Sequence, residues 1–113
     1  MLLDYQLKRT NKGTIIELSG DITKPGYFEE LIREINTKIE SDEEIIVFDL
    51  NLVTFMSTKS IHGFVLCYCF FGYFGKTVRI ANAFHAITAL SSFAGLRKVG
   101  LKIFNSTEEA LAG

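Results

Sequence analysis

Ile45-Ile46-Val47-Phe48-Asp49 is the run that decides the fold. A continuous apolar segment of this kind suits a central strand covered on both faces. Downstream, after a predicted loop Asn51–Ser57, a helix is expected from Thr58 to about Phe74, then a strand from Lys76 to Ala81. A further helix is predicted from Phe84 to Phe93, ending near Gly95, and a last strand from Gly100 to Phe104. Ser106, followed three residues later by Glu109, is a capping-box signature for a short final helix. Upstream, Phe28, Leu31, Ile32, Ile35 and Ile39 recur at helical spacing, and the Glu29–Arg33 and Glu34–Lys38 pairs support that helix. Pro25 suits its first turn, where a missing N–H costs nothing. Residues 4–9 alternate, Asn11-Lys12-Gly13 supplies turn chemistry, and Thr14 to Ser19 reads as a second strand, together an N-terminal hairpin. The order β-β-α-β-α-β-α-β-α predicts an α/β fold. Its mixed sheet of four to five strands starts antiparallel and continues parallel, with helices chiefly on one face.

The 113 residues are 48% apolar and carry a formal net charge of −1. That is one domain, 1–113, with enough apolar surface for a core without disulfide or metal staples. No basic stripe marks a nucleic-acid binder. Met1-Leu2-Leu3-Asp4 has neither the basic flank nor the apolar run of a signal peptide, so a cytoplasmic location is expected. Ile61 to Phe74 is almost wholly apolar but falls short of the roughly 20 residues of a membrane-spanning helix. Packing within the fold or against a partner is expected of it, without membrane insertion. Cys67 and Cys69 lie inside it, diverge on a helix and lack flanking zinc ligands, so both are expected to be buried free thiols.

Little in the chain points to chemistry. His62 and His85 are the only histidines, without a third ligand at metal spacing, and belong on helix surfaces. Asp21 and Asp49 read as strand-end carboxylates that cap turns or helices. Ser41-Asp42-Glu43-Glu44 reads as a solvated acidic loop with no role. Nucleophile elbows, Gly-rich phosphate loops and dinucleotide fingerprints are missing. No catalytic residue, metal or cofactor is therefore assigned, and a non-enzymatic role is expected.

Gly20-Asp21-Ile22, Val47-Phe48-Asp49-Leu50 and Phe55-Met56-Ser57-Thr58-Lys59-Ser60-Ile61 follow one another in an order that resembles STAS domains. Gly95-Leu96 and Ser106-Thr107-Glu108-Glu109-Ala110-Leu111 extend the resemblance over nearly the whole chain. STAS is the fold of bacterial anti-sigma-factor antagonists and of the cytoplasmic ends of sulphate transporters. In the antagonists, Asp-Ser-Ser-Gly stands at a strand–loop–helix junction and its first serine is phosphorylated by an anti-sigma-factor kinase. The resemblance implies a regulator that binds a protein partner, an anti-sigma factor or a kinase-like regulator.

Here Ser57, Thr58, Lys59 and Ser60 occupy those positions. Thr58 keeps a hydroxyl at the phosphorylation position. Ser57 replaces the aspartate, Lys59 the second serine and Ser60 the glycine, and Thr23 stands where the family often has an acidic residue. Two readings follow. Ser57 caps the helix and Thr58 is an ordinary first-turn residue, which the missing carboxylates favour. Alternatively Thr58 is phosphorylated, with Lys59 and the helix start attracting the phosphate.

On the same helix Ile61, Phe64, Val65, Tyr68 and Gly72 match the positions that face the sheet in STAS domains. Leu66, Phe70, Tyr73 and Phe74 form a second, apolar stripe on the other side. That outer stripe is expected to bind a partner, most simply a second copy in a homodimer. Some STAS domains are linked to nucleotides or lipids, so a small-molecule-binding module or an accessory subunit of a transport complex is the alternative.

Overall fold

The computed structural model describes residues 4–83 and 93–113. β1 (Tyr5–Arg9) and β2 (Thr14–Asp21) form an antiparallel hairpin. β3 (Ile45–Phe55), β4 (Thr77–Ala81) and β5 (Lys102–Phe104) then add in parallel, giving a five-stranded sheet in the order β1-β2-β3-β4-β5. The described helices are α1 (Tyr27–Lys38), α2 (Thr58–Tyr73), α3 (Phe93–Lys98) and α4 (Thr107–Ala112). The α/β class, the hairpin and the mixed sheet agree with the sequence reading. The helix predicted from Phe84 to Phe93 lies outside the described residues except for its last position.

Strand order explains where the helices go. From β2 to β5 each parallel strand is added on the same side, and parallel crossovers are right-handed, so α1, α2 and α3 must share one face. Beneath them Ile16, Leu18, Ile46, Phe48, Val78 and Ile80 line one side of the sheet in the alternation of a strand. Phe28, Leu31, Ile35, Phe64, Phe71 and Leu96 cover them from the helices. Among the described helices only α4, after the last strand, reaches the other face, where Ala110 and Leu111 pack on Val47, Ala81 and Phe104.

Three boundaries differ from expectation. β3 does not end at Asp49 with a loop to Ser57: it continues to Phe55, pairing with Ser19, Gly20 and Asp21. Two register shifts against β2 each add a residue to β3, so Leu50, Val53 and Met56, at steps of three, all reach the core. Asp49 is therefore a mid-strand residue, 7% exposed, accepting from the Asn51 N–H at 3.0 Å and Asn82 Nδ2 at 2.9 Å. Pro25 precedes α1 rather than joining it. The Tyr27 N–H bonds the Lys24 carbonyl at 3.1 Å, with Gly26 at φ 76°, ψ 5°, the third residue of a type II turn. Helix α3 passes through Gly95 and stops at Gly100 (φ 100°), where the Gly100 N–H reaches Arg97 and the Leu101 N–H reaches Leu96 in a Schellman closure.

The acidic loop is also corrected. The Glu43 carboxylate is gripped by the Arg9 guanidinium at 2.8 Å and by the Thr14 hydroxyl, and Lys76 Nζ bonds the Glu43 carbonyl at 2.7 Å. It clamps the entry of β3 to the hairpin and is no idle surface charge.

Candidate functional site

The junction between β3 and α2 is built by Ser57 and Ser60. Ser57 is extended, φ −105° and ψ 172°, and its Oγ accepts the Ser60 N–H at 3.3 Å. Ser60 Oγ in return accepts the Ser57 N–H at 3.3 Å, a capping box made by two serines. Ser60 Oγ also donates to the Ile22 carbonyl at 3.1 Å, and Ser60 is 4% exposed. Ser57 thus caps the helix, while Ser60, expected as a neighbour of the switch hydroxyl, is buried and ties α2 to the end of β2.

Thr58 and Lys59 stand exposed in the first turn of α2, which carries no acidic residue. The Ile22 N–H meets the Phe55 carbonyl at 3.2 Å, so the segments after β2 and β3 run side by side at this end. Asp21 Oδ1 accepts from the Thr23 hydroxyl and from the Thr23 N–H at 2.9 Å. Those two hydrogen bonds, the hydroxyl's first, hold its carboxyl below the usual range. Thr23, which the resemblance sets at an acidic position, is therefore occupied in a local turn by a carboxylate two residues before it. A cleft of about 410 Å³ lies between this turn and α2, with Lys24, Glu29, Lys59, His62 and Leu66 along it. Its floor is set by Phe28, which packs edge-on against Phe64 at 4.8 Å between ring centres. A Cβ on Gly63 would lie 2.0 Å from Phe28 Cδ2, so only glycine permits this approach of α1 to α2.

The faces of α2 differ in part from expectation. Its buried residues are Ser60, Ile61, Phe64, Cys67 and Phe71, while Val65 and Tyr68 are half-buried and Gly72 is exposed. A helix with no charge beyond Lys59 has no polar stripe to mark its outside, so the inner face was legible only approximately. Cys67 is buried and Cys69 exposed, correcting the expectation of two buried thiols. Burial pushes the Cys67 thiol up, out of the reactive range. Leu66, Tyr73 and Phe74 are exposed at 42%, 85% and 57%, whereas Phe70 is half-buried against the core. The Phe70, Phe74 and Tyr73 rings form a chain with centres 5.3 and 5.2 Å apart.

Among the described residues no group of three His, Cys, Asp or Glu side chains could hold a metal ion, and no helix is long and apolar enough to cross a membrane. His62 is exposed, and His85 lies outside the described residues.

No family model matches the sequence, and no curated protein does. Solved structures do. A crystal structure of an anti-sigma factor antagonist from Mycobacterium paratuberculosis superposes with a TM-score of 0.73 at 16% identity, covering 98% of this chain and 92% of that one. The antagonist SpoIIAA in its unphosphorylated form gives 0.65 at 17% identity, over 94% and 92% of the two chains. The phosphorylated Bacillus cell fate determinant SpoIIAA gives 0.66 at 17% identity, over 96% and 97%. The fold of the chain is the STAS fold.

Proposed function

We propose that this chain is a regulatory, non-enzymatic domain of the antagonist type, working in the cytoplasm by binding an anti-sigma factor or kinase-like protein at the start of α2. The observation that carries this reading is Thr58, exposed in the first turn of a helix whose cap is already complete without it. A hydroxyl held there is open to a kinase. Phosphate on it would meet the free N–H groups and positive end of α2, beside the Lys59 ammonium. The added charge, about −1.5 to −2, would change what that surface can bind without unpicking the Ser57–Ser60 cap. SpoIIAA, solved in an unphosphorylated and a phosphorylated form, supports a switch of this kind. Leu66, Phe70, Tyr73 and Phe74 supply an apolar flank for protein contact, including contact with a second copy.

Incubation with an anti-sigma-factor kinase and ATP, followed by peptide mass mapping, tests the switch. Phosphate is expected on Thr58. Phosphate on Ser57 or Ser60 would contradict it.

The cleft beside Lys24 and Lys59 supports a second reading, a module that binds a small anionic or amphipathic molecule, since its volume is in the range of ligand sites. Native mass after gentle purification separates the two, because a retained ligand adds a small mass.

A further inference from the structure

We propose that two copies pair antiparallel along the outward ridge of α2, so that the aromatic end of one helix covers Thr58 and Lys59 of the other and self-association excludes binding at the switch. The exclusion rests on the function proposed above; the pairing does not.

Opposite the buried residues of α2, the outermost line is His62, Leu66, Cys69 and Tyr73, all exposed and spaced by four, three and four. That alternation is the seam along which helices pack side by side. No charged residue stands between Ser60 and Gly75, so two copies of the ridge meet without like-charge repulsion. Lys24 and Glu29, of opposite sign, stand across the cleft beside His62 and Leu66, and on α2 itself Lys59, at the start of the ridge, is the charge that decides the direction. A parallel pair would bring two Lys59 ammonium groups and two positive helix ends together. An antiparallel pair opposes the helix dipoles and sets each Lys59 against the Tyr73 and Phe74 rings of the other copy, a cation–π arrangement. Leu66 lies midway between Lys59 and Tyr73. A two-fold axis there makes Leu66 meet itself and His62 meet Cys69. The Phe70–Phe74–Tyr73 chain of rings then lies over the first turn of the second helix, where Thr58 is.

Cross-linking by mild copper–phenanthroline oxidation reads this geometry. With the axis at Leu66, Cys69 and its mate are about 9 Å apart along the helices, beyond disulfide reach. Wild type should therefore stay uncross-linked, while Leu66→Cys in a Cys69→Ser background, and His62→Cys with Cys69 kept, should both give a species of twice the mass. Efficient cross-linking of wild type through Cys69 would mean a parallel pair or an axis displaced to Cys69, and either would overturn the proposal. A monomer by sedimentation at high concentration, with neither variant cross-linking, would overturn it as well. In the Leu66→Cys dimer, Lys59 should lose reactivity toward an amine-acylating reagent relative to the reduced protein, while exposed Lys12 and Lys98 keep theirs. Equal Lys59 reactivity in both forms would remove the exclusion. Shielding of Lys59 in a chain that no kinase modifies at Thr58 would uphold the pairing and count against the switch alone.

Discussion

The Ser60 hydroxyl donates to the Ile22 carbonyl at 3.1 Å, joining the first turn of α2 to the residue after β2. The bond holds this end of α2 by its buried side, leaving Thr58 and Lys59 to face outward. It also fixes the neighbouring cleft, since Ile22 and Ser60 both line it. Ser60→Ala should remove this bond and half of the capping box, leaving the Ile22 carbonyl without its partner. A loss of about 1–3 kcal/mol is expected from urea unfolding, with the helix content of the native state unchanged. A stability equal to wild type would show that the bond is not formed in solution.

Tyr73 and Phe70 should respond differently to the same change. Tyr73 is 85% exposed, so Tyr73→Glu should alter stability by no more than about 0.5 kcal/mol and abolish self-association in sedimentation. Phe70 is half-buried and stacks edge-on against Phe71 at 5.1 Å, so Phe70→Glu should cost about 1–3 kcal/mol in the fold itself. Equal stability losses in the two variants would contradict the faces described for α2.

Glu43 gives the protein an acid-sensitive clamp. Partial burial pushes its carboxyl up, but the Thr14 hydroxyl, the Arg9 guanidinium and the Glu40 N–H outweigh that and hold it below its ordinary value. A carboxyl lowered on folding contributes stability that is complete above its unfolded value, about 4.3, and is lost as the pH falls through the lower folded one. Urea midpoints should therefore drop on acidification below about pH 5, and Glu43→Gln should be less stable at neutral pH with a shallower acid dependence. Parallel profiles for the two proteins would exclude the clamp.

These clamps and faces differed in how visible they were beforehand. The stripe Phe28, Leu31, Ile32, Ile35 announced α1 because Glu29, Arg33 and Glu34 mark its wet side. Ser57 announced the start of α2, since a serine before a long apolar run is a cap. The second half of β3 was hidden because two added residues turn its period from two to three, so Leu50, Val53 and Met56 do not alternate. Helix α2 hid its orientation for the opposite reason: Cys67 and Cys69 look equivalent in an uncharged helix, and only packing on the sheet separates them. The roles of Ser60 and Glu43 depend on Ile22, Arg9 and Thr14, partners distant in sequence that no local pattern reveals.

The most direct test of a switch at the start of α2 is calorimetric titration of the chain, as wild type and as Thr58→Glu, into a kinase of the anti-sigma-factor class. Wild type should bind with saturable heat. Thr58→Glu, which puts a negative charge at the exposed first turn without touching the Ser57–Ser60 cap, should fold normally and lose that binding. Equal affinity of the two proteins, or no binding by a wild type shown to be folded, would contradict a regulatory switch at Thr58.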